Sequence, residues 1–361
     1  MTSPAPAPAE DPARLPYAHG QPPATGVIRC RPEDFVVREQ LGFAPDEDGQ
    51  HLLVRVRKRQ ANTHYVARRL AVLAGVGPAA VGWAGRKDRH AVAEQWFSLD
   101  LAGREAPALA ALAASEPEFD VLAVHRHRRK LRIGALAGNQ FEITVRELMG
   151  EPAALAARLA QLAAGVPNYF GPQRFGRGGA NLQSDRLPRG REPRAMVLSA
   201  ARAAIFNAVL AARVRDGSWQ RLLPGDLAQL SGSESWFVVT PAEDPAALAE
   251  RLAAGDLAPS GPLWGESGSP AGGAVGELEQ AVAASLPRAL GLIGQGRMKP
   301  ARRPLILRPQ ALDWSLAADT LCVSFTLPAG GYATSLLREA LGVVDRAAER
   351  VSDSASGAAA G

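Results

Sequence analysis

The chain is poor in cysteine, in aromatic residues and in long apolar runs. Only Cys30 and Cys322 occur among 361 residues, and they form no Cys-x-x-Cys pair, so neither a disulfide framework nor a zinc ribbon is indicated. No run of about 18 apolar residues is present, and the N-terminus has no apolar core of signal-peptide length. We therefore expect a cytoplasmic protein that does not enter a membrane.

The net positive charge is small, and the basic residues are unevenly distributed along the chain. The formal net charge is only +5, from 41 basic and 36 acidic residues. The cations gather in six groups, within residues 55–59, 68–69, 86–89, 126–132, 186–194 and 297–303. Clustered cations are typical of a protein that binds a phosphate backbone, although solvated charged faces without a partner give the same pattern.

A possible metal pair, His125 and His127, alternates on a predicted strand. Five cations between Arg126 and Arg132 surround it and would repel a divalent ion. We therefore expect no metal site at this pair.

The hydrophobic pattern divides the chain into three parts. Strand-like alternation dominates residues 20–165 and returns over 305–350, whereas 166–304 is richer in helical patterns and in Gly-rich loops. This predicts a discontinuous sheet domain interrupted by an inserted domain. The tails, residues 1–19 and 351–361, have little apolar content to bury and are expected to be disordered.

A short polar segment carries the strongest chemical signal. Gly85-Arg86-Lys87-Asp88-Arg89-His90 places one carboxylate among three cations and a histidine, after an apolar run. The cations favour the ionised form of Asp88, and an ionised aspartate can act as a nucleophile or as a base. Taken alone, the segment could equally be a solvated turn with surface ion pairs.

Four further motifs accompany that loop in a fixed order. They are Asn62-Thr63, Gly138-Asn139-Gln140-Phe141, Val166-Pro167-Asn168-Tyr169-Phe170-Gly171-Pro172-Gln173-Arg174-Phe175-Gly176, and Phe325-Thr326-Leu327-Pro328-Ala329-Gly330-Gly331-Tyr332-Ala333-Thr334. Together with the Asp88 loop, from about Gly26 to about Val344, they resemble the TruD family of tRNA pseudouridine synthases.

The resemblance implies a fold and a function. The expected fold is α+β: a pseudouridine synthase catalytic domain with a mixed, mostly antiparallel sheet flanked by helices, interrupted by a family-specific α/β insertion domain. The implied reaction is isomerisation of uridine 13 of tRNA to pseudouridine, on a flipped-out base and with no cofactor. The implied partner is tRNA, with no protein partner, and we expect a monomer.

The resemblance also assigns roles to particular residues. Asp88 corresponds to the catalytic aspartate, acting at uracil C6 or at the ribose. Phe141 corresponds to the aromatic that stacks on the base, although packing in a strand core would explain it as well. Asn139 could bond a uracil edge, hold the Asp88 loop, or simply serve a turn. The Asn168 motif could form a hinge or touch RNA.

Three further residues complete the predicted substrate site. Arg29 lies where the family often has lysine, a cation that pairs with the aspartate. Lys87 adjoins Asp88, and Phe325 is expected to close the pocket from the far end of the chain. A catalytically silent RNA-binding or RNA-folding protein of the same fold is the main alternative, and a phosphodiester hydrolase is a third. An intact Asp88 favours the enzyme, because a carboxylate in a basic loop would otherwise only repel phosphate. The carboxylate cluster that would hold two metal ions in a hydrolase does not accompany it.

Overall fold

The computed structural model describes residues 15–348. In chain order the elements are β1 (Ala24–Ile28), β2 (Phe35–Gln40), β3 (His51–Arg59), α1 (Thr63–Leu73), β4 (Val81–Trp83), β5 (Val92–Asp100), α2 (Leu109–Leu112), β6 (Phe119–His127), β7 (Gly138–Gly150), α3 (Pro152–Leu162), β8 (Val166–Pro167) and α4 (Arg191–Arg215). Then come β9 (Leu227–Leu230), β10 (Trp236–Val238), α5 (Pro245–Ala254), β11 (Leu257–Leu263), α6 (Gly273–Ala284), α7 (Pro287–Gly296), β12 (Ala301–Pro304), β13 (Ile306–Leu307), β14 (Gln310–Ala317), β15 (Thr320–Pro328), α8 (Ala333–Ala340) and β16 (Gly342–Asp345).

These elements form two compact units. Within the described residues, the sheet unit comprises Pro22–Ala163, Pro309–Ala333 and residues 340–348, and the helical unit comprises residues 15–21, Ala164–Arg308 and Thr334–Glu339. The predicted division at residues 166 and 304 lies close to these boundaries. Assignment of catalysis to one unit stays a prediction at this point.

The sheet unit is built on ten strands. Its main path runs β14-β15-β7-β2-β5-β3-β6, with β1, β16 and β4 attached at the side. Among the strand pairs of this sheet, β2 with β5 and β1 with β16 are parallel and the others are antiparallel. The expected mixed, mostly antiparallel sheet is confirmed.

Helix α1 covers part of one face of this sheet. Val66 and Leu70 pack in one buried cluster with Val54 of β3 and Phe97 of β5. From the sequence, Asn62 or Thr63 is predicted to cap a helix here. The helix begins at Thr63, because the Asn62 side chain accepts a hydrogen bond from the backbone N–H of Tyr65 at 2.8 Å. It ends just before Gly75, whose φ of +62° is left-handed.

The helical unit has its own sheets and cores. A four-stranded sheet runs β10-β9-β11-β12, and β8 pairs with β13. The hydrophobic pattern over 274–290 predicts one helix, and this is wrong in detail: the structure divides the region into α6 and α7 at Ser285 and Leu286. The reason is Pro287, which lacks an N–H and therefore starts the second helix.

Helix α4 is long and apolar enough to cross a membrane by length and composition alone, although Arg202 and Asn207 interrupt its apolar residues. However, 61% of that stretch is buried, and Val197, Ala201 and Ile205 lie in a core with α6 and α7 residues. The helix serves here as the centre of the helical unit.

Part of the predicted N-terminal tail belongs to the folded structure. Residues 15–19 are packed, because the Arg338 guanidinium donates to the carbonyl oxygen of Leu15 at 2.6 Å and lies 4.3 Å from the Tyr17 ring centroid. Expected disorder in 15–19 is therefore wrong. The other tail residues predicted to be disordered, 1–14 and 351–361, lie outside the described residues.

Removing the α1 cap should destabilise the sheet unit. We expect Asn62→Ala to lower the free energy of unfolding by about 1 kcal/mol, because the Tyr65 N–H loses its acceptor. Asn62→Asp keeps an acceptor and should cost much less. Urea unfolding of the three proteins measures this, and equal stabilities for Ala and Asp variants would contradict the capping role.

Candidate active site

The Asp88 side chain lies in an irregular loop between β4 and β5 and is 59% exposed. Its Oδ2 accepts a hydrogen bond from Arg29 Nη2 at 2.7 Å. Hydrogen bonds between ionised partners are shorter and stronger than neutral ones, so this contact fixes the carboxylate while leaving much of it open to solvent. The predicted pairing of Arg29 with Asp88 is present.

Arg29 joins a second carboxylate as well. Its Nη1 donates to Asp345 Oδ2 at 2.5 Å, and its guanidinium carbon lies 4.1 Å from the centroid of the Phe35 ring. A planar guanidinium offers two donors in a fixed fork, which a lysine ammonium does not. The fork of Arg29 thus brings Asp345, at the end of β16, into the site.

Lys87 occupies a different place from the one its sequence position suggests. Its ammonium pairs with the carboxylate of Glu39, whose side chain is completely buried. Glu39 also accepts from the backbone N–H of Trp96 at 2.8 Å, while burial raises its pKa and the charge of Lys87 opposes that rise. This geometry favours a supporting role for Lys87 over the predicted substrate contact.

Lys58, one of the clustered cations of residues 55–59, is a second support. It is fully buried, and its Nζ donates to the carbonyl oxygens of Ala61 at 2.7 Å and Asp88 at 2.8 Å. Burial lowers its pKa to about 8, although the charge of Asp88 opposes this. The signal in the sequence is period two, because Lys58 continues the inward series of Val54 and Val56.

Phe35, Phe141 and Phe325 form an aromatic row across β2, β7 and β15 of the same sheet. Val37, Phe141 and Phe325 face one another across β2, β7 and β15. The Phe141 and Phe325 ring centroids are 5.4 Å apart with planes at 31°, and Phe35 meets Phe141 edge-on at 6.1 Å. Phe141 is 7% exposed and Phe325 is buried. The alternation of β7 predicts this packing, and base stacking by Phe141 stays a prediction.

Asn139 lies two residues before Phe141 on β7, paired with Glu39 of β2 and Leu327 of β15. Its Oδ1 is buried and has no hydrogen-bond partner among residues 15–348. The preceding Gly138 is required, because a Cβ there would lie 2.4 Å from the carbonyl oxygen of Leu327. An acceptor left unpaired in this way is costly unless a ligand satisfies it.

Several of the clustered cations are engaged in ion pairs. Arg302 is buried and binds Glu279 through Nη2 at 2.8 Å, so its predicted place in an RNA-binding group is wrong. Arg57 pairs with Glu94 at 3.1 Å, and Arg59 with Glu33 at 2.6 Å. Counting charges in the sequence therefore overstates the positive surface.

The two histidines considered as metal ligands also have carboxylate partners. His125 lies 2.8 Å from Glu47 and His127 lies 2.8 Å from Asp46. Within the described part of the chain, three or more His, Cys, Asp and Glu side chains nowhere come together as a group that could hold a metal ion.

Comparison with known proteins decides the family. The model of the family described as tRNA pseudouridine synthase D (TruD) matches residues 14–182 and 190–340. The chain belongs to the TruD family. It is thus a tRNA pseudouridine synthase, an isomerase, with tRNA as its class of substrate.

Individual relatives agree with this assignment. The tRNA pseudouridine synthase D of Nitrosococcus oceani is 46% identical over 335 residues, covering 90% of this chain and 93% of the relative. That of Aeromonas hydrophila is 44% identical over 336 residues with the same coverage. A crystal structure from Methanosarcina mazei, described as tRNA pseudouridine synthase D (TruD), has a TM-score of 0.68 at 23% identity and covers 90% of this chain and 95% of its own. The α+β fold expected for TruD proteins is confirmed.

The buried ammonium of Lys58 should make stability depend on pH. Its pKa is about 8 in the folded protein against 10.5 for an ordinary lysine, so between these values the unfolded chain binds a proton that the folded protein does not. Stability of the natural protein relative to Lys58→Met should therefore rise from pH 8 to pH 10.5, by on the order of 2 kcal/mol.

Urea unfolding of both proteins across this range measures the difference. Free energies that run parallel with pH would show that Lys58 titrates normally and would contradict the assigned burial.

Proposed function

We propose that the protein converts uridine 13 of tRNA to pseudouridine, with Asp88 as the catalytic carboxylate. The observation that carries this is the state of Asp88: an exposed carboxylate whose side chain and backbone are held by separate cations, Arg29 and Lys58. A nucleophile or base needs this combination, because it must be accessible and also fixed in position.

The chemistry is an isomerisation that balances without a co-reactant. The bond from ribose C1′ to N1 breaks, a bond from C1′ to C5 forms, the proton on C5 leaves, and N1 gains a proton. Asp88 acts as nucleophile at uracil C6 or ribose C1′, or as base at C2′. No oxidant, reductant or metal enters this balance, and we propose that the enzyme uses no cofactor.

The base must leave its stack to reach Asp88, at a cost of a few kcal/mol. Phe325 lies against one face of Phe141, so a base reaches Phe141 from its remaining face or edge. The contacts from Asp88 through Arg29 and Phe35 to Phe141 are continuous within the sheet unit. Asn139 Oδ1, unpaired among the described residues, can accept a hydrogen bond from uracil N3–H.

A catalytically silent RNA-binding protein would gain nothing from an exposed carboxylate held in a fixed position. Arg29 and Lys58 together hold a carboxylate outward, where it would oppose phosphate binding. We further propose that the enzyme acts as a monomer in the cytoplasm, without a protein partner.

Replacing the carboxylate tests the proposal. We expect Asp88→Asn to lower turnover at least roughly 1,000-fold, because the amide keeps the shape but neither attacks nor accepts a proton. Binding of tRNA should stay within a few-fold. Single-turnover formation of pseudouridine in transcribed tRNA measures the rate, and filter binding measures affinity.

The matched control is Asp120→Asn, which removes an exposed carboxylate on β6 and should leave turnover unchanged. Substantial turnover by purified, folded Asp88→Asn would overturn the assignment.

The aromatic row predicts a second separation of effects. Phe141→Leu keeps most of the packed volume but loses the ring, so it should cost roughly 1–3 kcal/mol in transition-state binding, about 5- to 150-fold in turnover. Phe141→Tyr keeps the ring and should retain much of the activity. Melting temperatures measured in parallel report the packing role.

If Phe141→Leu lowered stability without changing turnover of the folded fraction, Phe141 would be an ordinary core residue.

A further inference from the structure

A cavity of about 400 Å³ lies in the helical unit, which holds none of the candidate active-site residues. Its volume is within the roughly 300–1,000 Å³ of ordinary ligand pockets. Most of its wall is apolar and includes Phe170, Leu198, Leu263 and Met298. Its other lining residues are Ala195, Ser199, Arg202 and Arg303, so the lining carries two positive charges and no negative one.

Arg202 is the unusual member of this lining. Its Nη2 donates to the carbonyl oxygens of Leu263 at 2.6 Å and Lys299 at 3.1 Å, while its Nε is buried and has no partner within residues 15–348. In that part of the chain no carboxylate forms an ion pair with it, and burial lowers its pKa. A half-buried guanidinium with a spare donor and no counter-charge is suited to an anion.

The polar groups around Arg202 also favour an anionic ligand. Ser199 Oγ accepts a hydrogen bond from Arg174 Nη1 at 3.0 Å, which leaves the hydroxyl proton available to an acceptor. The guanidinium carbon of Arg303 lies 4.2 Å from the Phe170 ring centroid, and its Nη2 bonds Asn168 Oδ1 at 2.5 Å. Positive charge is thus fixed beside an apolar wall.

Anionic and planar apolar groups occur together in a nucleotide. We propose that this cavity binds one unstacked nucleotide of tRNA other than the reacting uridine, with its phosphate at Arg202 and Ser199 and its base against Leu198, Met298 and Phe170. This rests on the proposed function in taking RNA as the partner. Free nucleotides and inorganic phosphate share part of this chemistry, and the test separates them.

The primary test blocks the cavity without changing its charge. Ala195 is exposed on α4 and lines the cavity, so Ala195→Trp should fill the entrance while the protein still folds. We expect the dissociation constant for transcribed tRNA, measured by fluorescence anisotropy, to rise at least tenfold. Met196→Trp places the same side chain at the adjacent exposed position outside the cavity and should change it less than twofold.

A second pair of variants tests the charge. Arg202→Gln should weaken binding about tenfold and lower the salt slope of tRNA affinity by about one unit, since one phosphate contact is lost. Arg251→Gln removes an exposed cation on α5 and should change neither quantity. If Arg202→Gln fails to fold, the tryptophan pair still decides the matter.

Unchanged tRNA affinity in folded Ala195→Trp would overturn the proposal. Titration with uridine monophosphate and with inorganic phosphate distinguishes the other sources: binding of either that Ala195→Trp abolishes, with tRNA affinity unaffected, would make this a small-molecule site and would also overturn it. Because the readout is binding, a protein that binds tRNA through the cavity but forms no pseudouridine would refute only the proposed function.

Discussion

Arg29 joins two carboxylates from distant parts of the sequence, Asp88 and Asp345, and the candidate site depends on this contact. The pair with Asp88 is too exposed to contribute much to stability, since such pairs are worth about 0–1 kcal/mol. The Arg29–Asp88 pair matters because it fixes the position of the carboxylate. Arg29 has a left-handed φ of +56° and packs over Phe35, so the backbone, the aromatic row and the carboxylate are fixed together.

Two lysines with buried side chains hold the Asp88 loop against the sheet. Lys58 binds the Asp88 backbone, and Lys87 binds Glu39, so the Asp88 loop is anchored to β3 and β2. A charged group is buried only where partners offset its desolvation, and here those partners are a carboxylate and two carbonyl oxygens. Burying the two ammonium groups costs desolvation free energy. In return, their contacts with Asp88 and Glu39 fix the position of the Asp88 loop on the sheet.

The sequence predicted local features well because they depend on near neighbours. The Asn62 cap and the inward alternation of Phe141 need only a few adjacent residues. It failed where the partner is remote: Lys58, Lys87 and Arg302 look like surface cations until Asp88, Glu39 and Glu279 are brought against them. The carboxylate of Asp345 was missed for the same reason, since 316 positions separate it from Arg29.

The central claim is that Asp88 serves isomerisation of one particular uridine. Mapping of pseudouridine in tRNA tests it most directly, in cells that lack this protein and in the same cells supplied with the natural chain or with Asp88→Asn. The account predicts that pseudouridine at position 13 returns with the natural chain alone. Its return with the asparagine variant, or its appearance only at other positions, would contradict the account.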